Sequence, residues 1–137
     1  MGAHLGSNAI ITCKGRLLLE KRRDSDVWGL VGGGVKNYET ELQAMQREVK
    51  EELGLRVPPE KFRRLRSYGE PGRIAAYCDG SIWRMVIVVF GLHFEEEPVM
   101  RVSSESKELR FCTTEELKDI EIVITHSDIV EDLFINA

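Results

Sequence analysis

GGVKNYETELQAMQREVKEELGL, running from Gly33 to Leu55, is the stretch on which the reading of this chain turns. Its second part has the marks of a helix with both ends specified. Thr40, followed three residues later by Gln43, fits a capping box. Leu42, Met45, Val49 and Leu53 recur at helical spacing and form one apolar stripe. Gly54 stands where a left-handed C-terminal cap is wanted, Leu55 can pack back, and Pro58-Pro59 forbid continuation. At 100° per residue, with Val49 at zero, Glu48 and Glu52 fall at about 260° and 300°, and Glu51 at about 200°. Three carboxylates therefore share one arc beside the buried stripe. Like charges three and four residues apart cost about 0.2–0.5 kcal/mol per pair, and the last turn of a helix disfavours negative charge. Helix stability alone would favour Lys or Arg there. A hard divalent cation such as Mg²⁺ or Mn²⁺, which takes carboxylate oxygens, would offset the repulsion. A solvated helix face is the plainer explanation for a charge run met in isolation.

Ahead of this helix, Gly32-Gly33-Gly34 allows close backbone approach because no Cβ intervenes. It is not a Walker loop, since no Gly-Lys-Ser/Thr follows, and Asn37 stands where a dinucleotide fingerprint wants its last glycine. Glu39 and Arg47 are placed to pair and tie the loop to the helix. Further out, residues 8–13 and 16–21 read as strands of a hairpin turning at Lys14-Gly15. Residues 62–68 read as an exposed strand, and 70–80 as loop or long hairpin. Ile82–Phe94 is a nearly continuous apolar strand, buried on both faces. Residues 95–106 form a polar loop and 109–112 a short strand. Thr113 and Glu116 cap a short helix through Leu117, and a final amphipathic helix carries Ile129, Val130, Leu133 and Phe134, capped by Thr125 or Ser127. Strands and helices intermix, which indicates an α/β or α+β domain with a mixed sheet and helices packed on it.

Gly33, Glu39, Arg47-Glu48-Val49, Glu51-Glu52 and Gly54-Leu55 match every fixed position of G-x5-E-x7-R-E-U-x-E-E-x-G-U, U being aliphatic. The segment thereby resembles the box of the Nudix hydrolase family, over 23 of 137 residues. Trp28-Gly29-Leu30 before the glycines is also similar to that family. Val31 stands where the family often has Pro, and Lys36-Asn37-Tyr38 replaces its usual Glu-Pro-Gly turn; neither falls on a fixed position. The resemblance implies a Nudix-type α/β/α sandwich with a mixed β-sheet. It implies Mg²⁺ or Mn²⁺ held by Glu48, Glu51, Glu52 and the Gly33 carbonyl, with Glu39 and Arg47 as the pair that orients loop and helix. It also implies hydrolysis of a nucleoside diphosphate linked to another moiety. Glu52 is then the candidate base within the box, and Glu105 and Glu108 the distant candidates.

The box leaves the substrate open. Pro71, 16 residues after Leu55, resembles the spacing of the ADP-ribose pyrophosphatase subgroup, so an ADP-ribose-like substrate or a nucleotide sugar is slightly favoured. A MutT-type enzyme acting on oxidised nucleoside triphosphates is the rival, and a non-catalytic nucleotide-sensing domain is the reading from another class. Trp28, Tyr77 and Trp83 can stack a base or sugar, although core or surface packing explains each singly. Arg22, Arg73 and Arg84 are candidate substrate contacts. His4, His93 and His126 have no ligand spacing; His93 reads as a strand end and His126 as a loop residue.

Length and composition bound these expectations. With 137 residues, 42% hydrophobic and 31% charged, the chain is expected to be one domain over residues 1–137. The net charge of −4 argues against a long nucleic acid as partner. It is unevenly spread: residues 1–94 hold 15 Lys/Arg against 11 Asp/Glu, and residues 95–137 hold 4 against 12. A net-positive body suits a small phosphorylated molecule. No apolar run reaches the ~20 residues of a membrane helix, and no signal peptide is visible. Cys13, Cys78 and Cys112 suggest neither a disulfide framework nor zinc, and read as buried thiols of a cytoplasmic protein. Ile82–Phe94 could also serve a homodimer interface, the expected assembly.

Overall fold

In the computed structural model, which describes residues 2–69, 74–76 and 82–137, two long strands set the frame. β1 (Gly2–Cys13) and β7 (Ile82–Phe94) run parallel along their whole length, from Gly2 opposite Trp83 to Cys13 opposite Phe94. The other edge of β1 is shared. Its last residues pair with β2 (Arg16–Arg22) through the expected tight turn, where Lys14 and Gly15 both have positive φ. Its first half pairs with β4 (Val31–Gly34), Gly6 to Ala9 lying opposite Gly34 to Val31. β3 (Trp28–Gly29) and β8 (Ser106–Cys112) pair with β2, while β5 (Arg63–Tyr68) and β6 (Ile74–Ala76) pair with β7. Among the described residues this is one mixed sheet of eight strands.

The strand period of two sorts side chains onto its two faces. Ile11, Leu18, Val88 and Phe90 pack with Met45, Val49 and Leu53 of α1 (Glu41–Leu53). Ile10, Leu17, Leu19, Ile87 and Val89 pack on the opposite face with Leu117 of α2 (Thr114–Leu117) and Ile129 and Val130 of α3 (Ile124–Val130). The α/β/α sandwich is thus written in the alternation of Leu17, Leu18 and Leu19. Ile87 to Phe90 of β7 are buried on both faces, but Arg84 and His93 of the same strand are exposed, so burial on both faces holds only for part of the apolar run. Cys13 and Cys112 are free buried thiols, and no helix among the described residues is long and apolar enough to cross a membrane.

The ends of α1 are those expected. Thr40 and Gln43 exchange both bonds of the capping box, and Gly54 closes the helix at φ 74 with its N–H bonded to the Lys50 carbonyl at 2.9 Å. Three readings are corrected at the far end of the chain. α3 begins at Ile124 with Val123 as its cap, so Thr125 and Ser127 lie inside the helix, where Ser127 donates back to the Ile124 carbonyl. His126 is therefore a helix residue and not a loop residue; its Nδ1 accepts the Leu30 N–H at 3.1 Å, fixing the start of β4. α3 runs on into a wider turn of π type, Glu131–Ile135. The strand expected at 109–112 starts three residues earlier, at Ser106, because it lengthens along β2.

Candidate active site

The glycine turn is held by strand pairing and by the helix it precedes. Gly32 has φ 146, and a Cβ there would come within 2.7 Å of the Asn8 Cα. Gly33 faces Glu48: a Cβ on it would meet a carboxylate oxygen at 2.6 Å. The close approach that the glycines permit is therefore already used, by β1 on one side and by the Glu48 side chain on the other. Asn8, buried beneath the turn, donates to the Leu30 and Val31 carbonyls at 3.3 and 3.4 Å.

Arg47 links this turn to α1. Its guanidinium makes a forked pair with Glu39 at 2.9 and 2.8 Å, donates to Glu48 at 2.7 Å and to Glu51 at 3.3 Å, and reaches the Gly34 carbonyl at 2.9 Å. Glu39 also accepts the Lys36 N–H. A planar five-donor group suits these partners where an ammonium would not. The Arg47 hydrogen bonds hold the Glu39 carboxyl down to about 2, from an ordinary 4.5. A carboxyl depressed in the folded state adds stability above its unfolded value and loses it as pH falls. Melting temperature should therefore drop as pH is lowered from about 5 toward 2, and Glu39→Gln should flatten that part of the curve. An unchanged acid slope in Glu39→Gln would show that the pair carries no such linkage.

The three box carboxylates occupy different settings. Glu51 is the outermost, 57% exposed, with Arg47 as its partner. Glu48 lies against Gly33. Glu52 turns inward and accepts the Gly32 N–H at 2.9 Å. Burial first, then the charges of Glu20 and Glu48, push its carboxyl up to about 10. Its neighbour is Glu20 on β2, whose own carboxyl is raised, chiefly by burial. Among the described residues no three acidic, His or Cys side chains converge as a ready-made cage.

Glu20 carries no mark of function in the sequence. It ends an apolar run, Leu17-Leu18-Leu19, and shares the face of Leu18, the α1 face. That alternation is the available signal, but it acquires meaning only once β2 is known to lie under α1.

Beside the glycine turn is a cleft of about 460 Å³ whose lining includes Gly32–34, Glu20, Arg22, Trp28, Met85 and His126. Trp28 lines it but is only 7% exposed, with Lys21 5.8 Å from its ring centroid, so most of the indole belongs to the core. Arg22 lines it from a surface position, near Asp24 at 3.6 Å and Glu20 at 4.0 Å. Arg84 is exposed and is not part of the lining. Glu105 and Glu108 are exposed and also outside it. Glu105 borders a separate pocket with Arg22 and Arg23, and Glu108 sits opposite Lys21 on the β8–β2 pair. Arg73, Tyr77, Pro71 and Cys78 lie outside the described residues, as does the Trp83 side chain.

Comparison with known proteins accords with this geometry. A family model described as NUDIX domain matches residues 4–133. The chain belongs to the Nudix family. An RNA pyrophosphohydrolase from Hydrogenovibrio crunogenus (strain DSM 25203 / XCL-2) is 46% identical over 46 residues, 34% of this chain. That match spans only 28% of the relative's length. The E. coli dihydroneopterin triphosphate pyrophosphohydrolase superposes over 100% of both chains, with a TM-score of 0.77 at 23% identity. A bifunctional NMN adenylyltransferase/ADP ribose pyrophosphatase from Francisella tularensis, complexed with AMP and Mn ion, superposes over 98% of this chain and 42% of its own, with a TM-score of 0.79 at 20% identity. At these identities the two structures share the Nudix fold with this chain and define nothing finer.

Proposed function

We propose that this Nudix domain is a divalent-metal-dependent pyrophosphohydrolase of a nucleoside diphosphate joined to another moiety. The observation that carries the reading is the intact box set against the glycine turn, with Glu48 on Gly33 and Glu52 on Gly32, at the edge of a cleft sized for a small ligand. The donor set fits Mg²⁺ or Mn²⁺: Glu48, Glu51, Glu52 and the Gly33 carbonyl all offer oxygen. Glu48 and Glu52 repel one another across the site, a repulsion that a cation relieves. When bound, the metal neutralises diphosphate charge and lowers the pKa of the attacking water.

The chain's own residues supply the rest. Arg47 hydrogen-bonds to Glu48 and Glu51, and Glu39 holds Arg47. In its ionised form Glu52 is the box group we propose takes a proton from water. Arg22 at the cleft rim offers charge to a phosphate, and the edge of Trp28 offers an apolar wall. ADP-ribose or a nucleotide sugar remains the favoured substrate class, supported by the Pro71 spacing and by the AMP and Mn ion bound to the Francisella neighbour.

A second reading, removal of pyrophosphate from a triphosphate, is supported by the Hydrogenovibrio relative, whose name specifies RNA. The net charge argues against a long RNA and does not bear on its 5′ end. A panel of ADP-ribose, nucleotide sugars, nucleoside triphosphates and 5′-triphosphorylated RNA with Mg²⁺ separates the readings. AMP plus a sugar phosphate is expected. Pyrophosphate release from a triphosphate, with ADP-ribose untouched, would replace the first reading by the second.

A further inference from the structure

The strand side of the site holds a carboxylate that no fixed position of the box includes. Glu20 is 2% exposed. One of its oxygens accepts the Ser106 hydroxyl at 2.8 Å, the other lies 4.0 Å from Arg22, and the group is a neighbour of the buried Glu52 carboxyl. Ser106, itself buried, is within 3.3 Å of the Ser103 hydroxyl, which accepts the Glu105 N–H. Glu20 thus joins the box helix to the loop that leads into β8.

A purely structural explanation for Glu20 is weak. Position 20 follows three leucines on a strand buried on both faces, where an apolar side chain or an amide would serve the core. A carboxylate there faces a second carboxylate, and its nearest cation, Arg22, is half exposed and shared with Asp24. Each of the two carboxyls makes ionisation of the other more costly, and a positive charge between or beside them removes that cost. The geometry around Glu52 names what that is, because Glu52 spans from Glu20 to the Gly32 N–H at the cleft floor.

We propose that Glu20 is a positioning residue for the divalent cation, aiming Glu52 at the site and adding negative charge behind it, with Ser106 fixing Glu20 in turn. This rests on the reading of Glu48, Glu51 and Glu52 as the cation's ligands. Residues that orient a metal ligand by hydrogen bonding typically change metal affinity about 10- to 100-fold when removed.

The test is a Mn²⁺ titration of metal-stripped protein followed by electron paramagnetic resonance, with the metal-free melting temperature measured alongside. Glu20→Gln keeps the shape and a hydrogen-bond acceptor for Ser106 while removing the charge. It should weaken Mn²⁺ binding by about tenfold or more and leave the metal-free melting temperature at or above the parent's. Ser106→Ala, which frees Glu20, should weaken binding in the same direction by a smaller factor, and it decides between the outcomes if Glu20→Gln does not fold. Folded Glu20→Gln with the parent's Mn²⁺ affinity overturns the proposal. Glu52→Gln serves as the reference: if it binds Mn²⁺ as tightly as the parent, the ligand assignment itself has failed and not the role of Glu20 alone.

Discussion

Glu52→Gln should abolish turnover, a fall of about 10³-fold or more, while the metal-free protein melts at or above the temperature of the parent. The two halves of this expectation have different causes. The amide preserves what the fold uses: its oxygen still accepts the Gly32 N–H, and it places no charge beside Glu20. What it lacks is the ability to lose a proton, needed both to ligate a cation and to act as base. The stability sign follows from linkage. Glu52 is raised to about 10 in the fold against 4.5 ordinarily. The folded protein therefore holds a proton that the unfolded chain releases above pH 4.5, and stability falls as pH rises through that window. Gln removes the titration and with it the loss. Circular dichroism melts and a steady-state assay on the same preparation check both halves. A variant that is inactive because it melts far below the parent would contradict the account.

The second large effect is on folding. Gly32→Ala should cost more than about 4 kcal/mol, the range reserved for backbone strain and core clash. For a chain of this size that lowers the melting temperature by roughly 15 °C. Two penalties coincide at Gly32. Its φ of 146 is one that L side chains rarely adopt, and its Cβ would strike the Ser7 carbonyl and the Asn8 Cα. Both obstacles are backbone of β1, which cannot retreat because β7 is paired along its other edge. Gly34 provides the control two residues on: its φ is ordinary and a Cβ there meets nothing within 4 Å. Gly34→Ala should leave the melting temperature within about 2 °C of the parent's, as surface substitutions usually do. Equal losses in the two variants would mean that the turn is not held as described.

How much of this is legible in the sequence depends on how local each feature is. The capping box at Thr40, the stop at Gly54 and the Lys14-Gly15 turn are decided within four residues, and each stands where the spacing puts it. The arc of Glu48, Glu51 and Glu52 follows from helical geometry alone, including the outward position of Glu51. The start of α3 is misread because Thr125 and Ser127 resemble caps, while the actual cap, Val123, makes no side-chain bond and has its N–H tied to the Trp28 carbonyl. That tie crosses 95 residues and leaves no local trace. Glu20 escapes notice for the same kind of reason. Nothing within β2 distinguishes a carboxylate at a strand end from a solvated one, and its partners Glu52 and Ser106 come from α1 and β8. The distant base candidates Glu105 and Glu108 are suggested by lying in or beside a polar loop, which is also why they face solvent.

The central claim is that the box performs metal-dependent cleavage of a phosphoric anhydride. Its most direct test is phosphorus NMR of ADP-ribose, nucleotide sugars and triphosphates incubated with chelator-stripped protein, before and after Mg²⁺ is added. The account predicts no change in the stripped sample and loss of the anhydride resonances of at least one compound on adding Mg²⁺. Anhydride resonances that persist throughout, while one of the same compounds raises the melting temperature, would contradict it and make this Nudix domain a nucleotide sensor.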